Sequence, residues 1–516
     1  MSSTTWRTRA ASMGLGLLGG VVAAGSLPPF GLWPLAIAGV ALVMLAMEDR
    51  PIGTRAMTGF AFGLGLFVPG LWWAQHFNWY GALFLILVES LFFCVAGLVM
   101  TPGRGRTLSA IGALVLAEAL RSVWPLGGLP IGGLPLGQAN GPLLPIAGVA
   151  GPMGIVFVLV VAAAGLRIAL TAVAVRNTPG LESARRVGHV VLLGAFVLGA
   201  IGISILAPNG GGAIATRTVA AVQGGGARGT SAKQTDPEQV TRAQLAALKK
   251  VPVGTDLTVL PEDVVGLGGP LTGSWQADAL SAAARDKRTT LLAGVTTPQG
   301  DTAFRNLVVA WGPSGRILGT VDKVHRVPFG EYIPARSFMS HLADVSGVPR
   351  DAVPGTKPEV LRTPAGALGT LISFEVFFAD RSGEAVAHGA NLLVVPTNTT
   401  SYPTSQMPEQ ELAAARLQAV ERGRDLIQAS PTGYSVLIDH KGFVIKRSEL
   451  SVSTAVLGTL SLRNGQTLFT RVGAWPVLLA ALGLLVAGQA RALLPLRRRT
   501  ARAGDSEITE EESDYS

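Results

Sequence analysis

Long unbroken apolar runs occupy both ends of the chain, and a shorter-period pattern fills the stretch between them. Seven runs precede residue 210, at about 10–27, 30–47, 56–74, 80–100, 108–124, 143–170 and 187–207, and an eighth covers about 474–495. A helix of roughly 20 apolar residues crosses a bilayer. The pattern therefore predicts a transmembrane domain over 1–207, about seven helices, and an eighth membrane helix over 474–496. A second run follows the first almost at once, which reads as a polytopic block and not a cleaved signal peptide.

The segment 208–473 changes character. "RTVAAVQ" (217–223), "DLTVLPED" (256–263), "TTLLAGVTT" (289–297), "RNLVVAWG" (305–312), "GALGTLISFE" (366–375) and "ANLLVVPTN" (390–398) are short apolar runs bounded by Gly, Pro, Asp or Asn. That is the signature of buried strands. "DPEQVTRAQLAALKK" (236–250), "SWQADALSAAARDK" (274–287) and "PEQELAAARLQAVERGRDLI" (408–427) carry the apolar spacing and charged faces of amphipathic helices. Alternating strands and helices predict one α/β domain with a sheet covered by helices. The end of the chain, 497–516, is basic and then acidic, and "GDSEITEEESDYS" (504–516) is low in apolar residues, so a disordered tail is expected.

Composition agrees with a membrane protein: 48% of the 516 residues are hydrophobic and 15% are charged. The net charge of +9 would raise the question of nucleic acid, but the basic residues lie in short clusters beside apolar runs, where they act as topology signals. Nucleic acid is not expected as a partner. Arg7 and Arg9, Arg50 and Arg55, Arg104 and Arg106, Arg167 to Arg186, and Arg497 to Arg499 fall in alternate connections. If both termini are cytoplasmic, all these clusters share the cytoplasmic side, and 208–473 lies on the extracytoplasmic face. Arg121 is the exception, and its spacing from Glu118 suits an ion pair, with Glu89 a further ionisable residue inside the spans. Trp72, Trp73, Trp79 and Tyr80 are expected as an interfacial aromatic belt. The single cysteine, Cys94, sits in an apolar run, which excludes an intrachain disulfide.

Candidate chemistry gathers at the ends of the expected strands. "VLPED" presents Glu262 and Asp263, the loop "VDKVHRVPFGEYIP" (321–334) holds Lys323, His325, Arg326, Glu331 and Tyr332, and "LISFE" ends in Ser373 and Glu375. A general base, a cation facing an oxyanion and a hydroxyl nucleophile would together serve acyl transfer. A serine nucleophile usually needs a histidine base, for which His325 or the Asp439–His440 pair are the available sources. No G-x-S-x-G elbow is present. The six histidines show no metal-ligand spacing, and the Gly-rich "GGPLTG" and "VQGGGARG" lack a phosphate-loop ending, so neither metal nor cofactor is expected.

"LPED", "DKVHRVPFGEYIP" and "LISFE" together resemble the Glu–Lys–nucleophile pattern of the nitrilase (carbon-nitrogen hydrolase) superfamily. The second stretch is similar to a loop of the apolipoprotein N-acyltransferase family. "GSLPPFGLWPLA" (25–36), "GFAFGLGLFVPGLWW" (59–73), "LAEALRS" (116–122), "VQGGG" (222–226) and "ARLQAVERGRDLIQASPTGYSVLID" (415–439) extend the likeness to about 25–475. The resemblance implies an α-β-β-α sandwich, Glu262 as general base, Lys323 at the oxyanion, and Ser373 at the position of the family's nucleophilic cysteine, with Glu331 and Glu375 in support. It implies two steps. A phospholipid acyl chain passes to the nucleophile, then to the α-amino group of a lipoprotein's diacylglyceryl-cysteine. The partners so implied are a phospholipid donor, a diacylated lipoprotein and membrane lipid. The chain departs from the family at Ser373, at Phe374 where a tyrosine is expected, at "NTTSYPTS" (398–405), and in lacking a tryptophan after "VQGGG". The alternative is a catalytically impaired paralogue that binds lipid or lipoprotein, or assists an active acyltransferase.

Overall fold

The structure, a computed structural model, describes residues 3–76, 79–174, 181–225, 236–341, 345–356, 360–399 and 406–511. The amino-terminal helices are α1 (Ser3–Ala24), α2 (Pro34–Ala46), α3 (Ile52–Leu71), α4 (Trp79–Val99), α5 (Arg106–Arg121), α6 (Ala147–Ala174) and α7 (Leu181–Leu206). Among the described residues, five stretches are long and apolar enough to cross a membrane: Ile52–His76, Trp79–Val99, Leu144–Ala172, Ala184–Leu206 and Trp475–Leu493. Small residues let the helices approach closely. A Cβ added to Gly20 of α1 would lie 2.8 Å from the Gly65 Cα of α3.

Two of the expected spans differ in form. α2 has 13 residues, about 20 Å at 1.5 Å per residue, short of a hydrocarbon core of about 30 Å. The run 143–170 is not one straight helix: Gly151 breaks α6 with φ 67° and ψ −166°, just before Pro152. Only glycine fits there, because a side chain would run into the Phe469 ring as well as into the left-handed backbone.

The expected Glu118–Arg121 ion pair forms at 2.9 Å, and Glu89 joins it at 2.6 Å. Arg121 Nη2 also donates to the carbonyls of Leu129 and Ile131 at 2.6 and 2.7 Å. The helix-α5 arginine thus pins the irregular chain that follows it. Trp72, Trp79 and Tyr80 are exposed, as a belt requires, but Trp73 is buried in the bundle. Cys94 is half-buried.

The following domain contains β1 (Ala215–Gln223), α8 (Pro237–Leu248), β2 (Leu257–Val259), β3 (Val265–Gly266), α9 (Trp275–Lys287), β4 (Thr290–Gln299), β5 (Ala303–Trp311), β6 (Ile317–Asp322), α10 (Arg336–Met339), β7 (Asp351–Ala352) and β8 (Val360–Thr363). It continues through β9 (Gly366–Thr370), α11 (Ala379–Ala387), β10 (Leu392–Pro396), α12 (Gln406–Arg422), β11 (Leu426–Ala429), β12 (Val436–Ile438), β13 (Val444–Arg447) and β14 (Thr454–Leu462). Then come α13 (Leu468–Val472) and α14 (Trp475–Glu511).

The strands build two sheets, not the single sheet read from alternation. One runs β14-β1-β2-β4-β5-β6 with β3 and β7 at its side, the other β13-β12-β11-β10-β9-β8. Val219, Leu257, Leu292 and Val308 of the first meet Leu368, Leu392, Ile427 and Leu437 of the second in a dry core. Helices α8 and α9 cover the outer face of the first sheet, and α11 and α12 pack beside the second. Periodicity alone does not show the second sheet, because β8, β12 and β13 have three or four residues each, and the two sheets match the α-β-β-α sandwich that the resemblance implies.

Two further expectations are corrected. The helix read over 408–427 ends at Arg422, where Gly423 takes φ 61° and the chain turns into β11. Its charged face is not solvated: Glu411, Glu421 and Arg422 are buried, because α12 lies between the second sheet and α6. At the end of the chain, α14 continues as helix to Glu511, in place of a tail disordered from 497. The Ala and Arg residues of "RRRTARA" favour helix and carry it on. Residues 512–516 lie outside the described residues, as do 400–405 of the loop "NTTSYPTS".

Candidate active site

Four strands end at one place, and each delivers a polar residue there. Glu262 follows β2, Lys323 follows β6, Ser373 follows β9 and Thr397 follows β10. Parallel pairing of β9 with β10 keeps those two ends level. Across the sheets, Glu262 N donates to Thr397 O at 3.3 Å. The two sheets are joined through the residues that carry the chemistry.

Lys323 Nζ donates to Glu262 Oε1 and to Glu331 Oε1, both at 2.9 Å. Asn306 on β5 supports the same two oxygens, with Nδ2 at 2.9 Å from Glu262 and 3.0 Å from Glu331. An ammonium has three donors, so one remains for a further oxygen. Glu331 Oε2 accepts from Val327 N at 2.8 Å, which fixes the Phe-Gly-Glu-Tyr loop over the site.

Ser373 sits at φ 52°, in the left-handed region that disfavours side chains, at the start of a single 3-10 turn over Ser373–Phe377. A strained turn of this kind lifts a nucleophile clear of its strand, although no G-x-S-x-G signature announces it. Glu375 holds the turn. Its carboxylate, fully buried, accepts from Ile372 N at 2.8 Å and Arg381 Nε at 3.2 Å, and from Val324 N and His325 N at 2.7 and 3.1 Å. Glu375 therefore ties the serine turn to the lysine loop and does not face a substrate.

Neither candidate histidine reaches Ser373. His325 Nε2 is 3.0 Å from Asp380 Oδ2, with its ring stacked on Phe378. His440 lies beside Asp425, whose Oδ1 accepts from its backbone N at 3.0 Å. Asp263 is turned toward β4, where Thr296 Oγ1 donates to it at 2.9 Å. Ser373 Oγ accepts from Thr397 Oγ1, 3.3 Å away, and the same Thr397 hydroxyl is also in donor contact with Glu411 Oε1.

Asn306, Thr397 and Glu411 were not picked out from sequence. Thr397 stands one residue past its strand, as Lys323 does, while Glu262 and Ser373 follow theirs by three. That position is the signal that could have found it.

Electrostatics set the carboxylates apart from solvated ones. Burial pushes the Glu411 carboxyl up to about 8, with Glu262 adding repulsion and the Thr397 hydrogen bond and Lys323 opposing. Burial likewise raises Glu262, against the pull of Lys323. For Lys323, burial disfavours the charge, but Glu262 and Glu331 outweigh it and hold the ammonium above its ordinary range. Burial, against the pull of Lys323, thus makes Glu411 and Glu262 more basic than solvated carboxylates.

Residues 19–165 match the family model described as the apolipoprotein N-acyltransferase N-terminal domain, and residues 218–466 match the carbon-nitrogen hydrolase model. An apolipoprotein N-acyltransferase of Azotobacter vinelandii is 31% identical, with 98% of this chain and 99% of that protein aligned. The chain belongs to the apolipoprotein N-acyltransferase family. Members of that name from Photobacterium profundum and Mycolicibacterium smegmatis are 26% and 29% identical, over 96% and 95% of this chain and 96% and 86% of their own lengths. The family's amino-terminal domain corresponds here to the stretch from the end of α1 through most of α6. The hydrolase match contains Glu262, Lys323, Glu331, Ser373 and Glu411 alike.

Proposed function

We propose that this protein transfers an acyl chain from a phospholipid to the α-amino group of the diacylglyceryl-cysteine of a lipoprotein, through an oxygen ester on Ser373. The carrying observation is Lys323, clamped between Glu262 and Glu331 with one donor left over, at the strand ends where half-buried Ser373 sits on a left-handed turn. Ser373 Oγ attacks the ester carbonyl of the donor. Lys323 Nζ stabilises the oxyanion, an effect worth about 3–4 kcal/mol in comparable sites. The intermediate collapses, the lysophospholipid oxygen leaves with a proton, and the acyl chain stays on Ser373. The acceptor amine then attacks, Glu262 takes its proton as general base, and the amide forms as Ser373 recovers its hydrogen.

Placement supports the same reading. Eight membrane helices with both termini cytoplasmic would set the domain 208–473 on the extracytoplasmic face, beside the leaflet that holds both substrates. The arginine clusters between the runs support that orientation. Helix α12 links the catalytic sheets to α6, so the site is built against the membrane helices.

A second reading, an impaired paralogue, is favoured by one observation: an alcohol stands where the resemblance expects a thiol. The two are separated by incubating the full-length protein in detergent with phospholipid and a diacylated lipopeptide, and weighing the product. N-acylated lipopeptide that depends on Ser373 supports the acyltransferase. No product from the unaltered protein, with product gained by Ser373→Cys, supports the paralogue.

A further inference from the structure

Glu411 is buried, and among the described residues it forms no ion pair and its Oε2 has no hydrogen-bond partner. A carboxyl kept in that state is costly unless something uses it. Its other oxygen bonds Thr397 Oγ1, and Thr397 Oγ1 is the group that touches Ser373 Oγ. Glu262, by contrast, has Oε1 occupied by Lys323 and Asn306 and forms no hydrogen bond to Ser373.

We propose that Thr397 and Glu411 form a proton relay that activates Ser373, with Glu411 as the terminal acceptor. The relay rests on the reading of Ser373 as nucleophile and adds to it the destination of the first proton. Thr397 owns a single hydroxyl hydrogen. The structure offers that hydrogen both Ser373 Oγ and Glu411 Oε1 as acceptors; with Glu411 ionised it turns to Oε1, which frees the Thr397 oxygen to accept from the Ser373 hydroxyl. As Ser373 Oγ bonds to the ester carbon, its proton moves to Thr397 Oγ1 and the Thr397 proton moves to Glu411 Oε1. When the intermediate collapses, the Thr397 proton goes directly to the departing lysophospholipid oxygen and Glu411 Oε1 returns its proton to Thr397 Oγ1. Glu411 is then ionised again, and the books of charge and hydrogen balance without any further reactant. Glu262 stays beside Lys323 and serves the acceptor amine in the second step.

An alcohol explains why such a relay is needed. A cysteine is partly thiolate at neutral pH and attacks with little help, whereas a serine requires a base at the moment of attack. His325 and His440, the usual kind of base, are committed to Asp380 and Asp425. Thr397 and Glu411 therefore carry the proton of Ser373 to the leaving oxygen, Glu411 acting only through Thr397.

The dependence on nucleophile type gives the test. Full-length protein in detergent is mixed with a phospholipid carrying a labelled acyl chain, and the rate of acyl-enzyme formation is followed for Glu411→Gln and Thr397→Val, each with Ser373 intact and with Ser373→Cys. With serine, each substitution should slow acylation by about a hundredfold or more, the usual reach of general-base assistance. With Ser373→Cys, the same substitution should cost less than about tenfold. Thr397→Ser keeps the hydroxyl and should recover most of the rate. Equal losses in both backgrounds would mean that Glu411 only holds α12 in place, and would overturn the relay; so would unchanged acylation in Glu411→Gln. Label retained by Ser373→Ala would instead overturn the nucleophile reading, and the relay with it. Thermal unfolding of each variant identifies any loss that comes from a damaged fold, and Thr397→Ser against Thr397→Val then decides the outcome at matched stability.

Discussion

Two buried clusters of like composition sit in this chain, and their surroundings set them apart. In the helix bundle, Arg121 meets Glu89 and Glu118; in the sandwich, Lys323 meets Glu262 and Glu331. Each is one cation between two carboxylates, out of water. The arginine spends four of its five N–H donors on Glu89, Glu118 and the carbonyls of Leu129 and Ile131, and Glu118 Oε2 has no hydrogen-bond partner among the described residues. The lysine likewise leaves one donor over, but it stands at strand ends that also carry Ser373 on a left-handed turn. Buried charge and spare hydrogen-bonding capacity do not by themselves mark a site; a nucleophile held at the same strand ends does.

Substitutions should separate the two clusters. Ser373→Ala is expected to bring acyl transfer to background, read as loss of N-acylated lipopeptide in a mass spectrum, with the unfolding temperature unchanged. Lys323→Met should follow, lowering turnover by about 10²–10³-fold as an oxyanion donor is lost. Arg121→Leu should behave the other way round. Removing the partner of two buried carboxylates costs about 3–5 kcal/mol of stability, so yield and unfolding temperature fall while the turnover of surviving folded molecules is largely kept.

Legibility in the sequence divides along similar lines. The membrane runs and the long strands were readable because each repeats one period over many residues, as at 80–100 and 305–312. Glu262, Lys323 and Ser373 were readable because they follow strands as polar residues in short motifs. Glu411 was not, because "PEQELAAARLQAVER" has the look of a solvated helix, and only the packing of α12 between the second sheet and α6 buries that face. The same tertiary fact explains why the face carrying Glu421 and Arg422 was misjudged. Ser373 was read as a strand end, while the left-handed turn that holds it depends on Glu375 gathering amides from two loops.

Smaller effects sharpen the contrast further. Glu411 accepts a proton only when ionised, and burial with Glu262 nearby holds its carboxyl up at about 8 while Thr397 and Lys323 pull down. Acylation by the serine enzyme should therefore rise with pH up to about 8 and then level, and Glu411→Gln should lose that limb. Stability should show the reverse sign. A carboxyl raised on folding binds its proton more tightly in the native state, so its contribution to stability is lost as pH climbs from the ordinary glutamate range through about 8. Glu411→Gln should narrow the difference in unfolding temperature between pH 5 and pH 8.5, a modest shift read by thermal unfolding in detergent.

The central claim is an ester on one side chain. Incubating the protein with phospholipid alone, digesting it and weighing the peptide that contains Ser373 tests this directly. The account predicts that this peptide gains the mass of one acyl chain as lysophospholipid is released in equal amount, and that adding diacylated lipopeptide removes the gain. N-acylated lipopeptide formed with no acyl mass ever found on Ser373, or with the acyl chain on another residue, would contradict it.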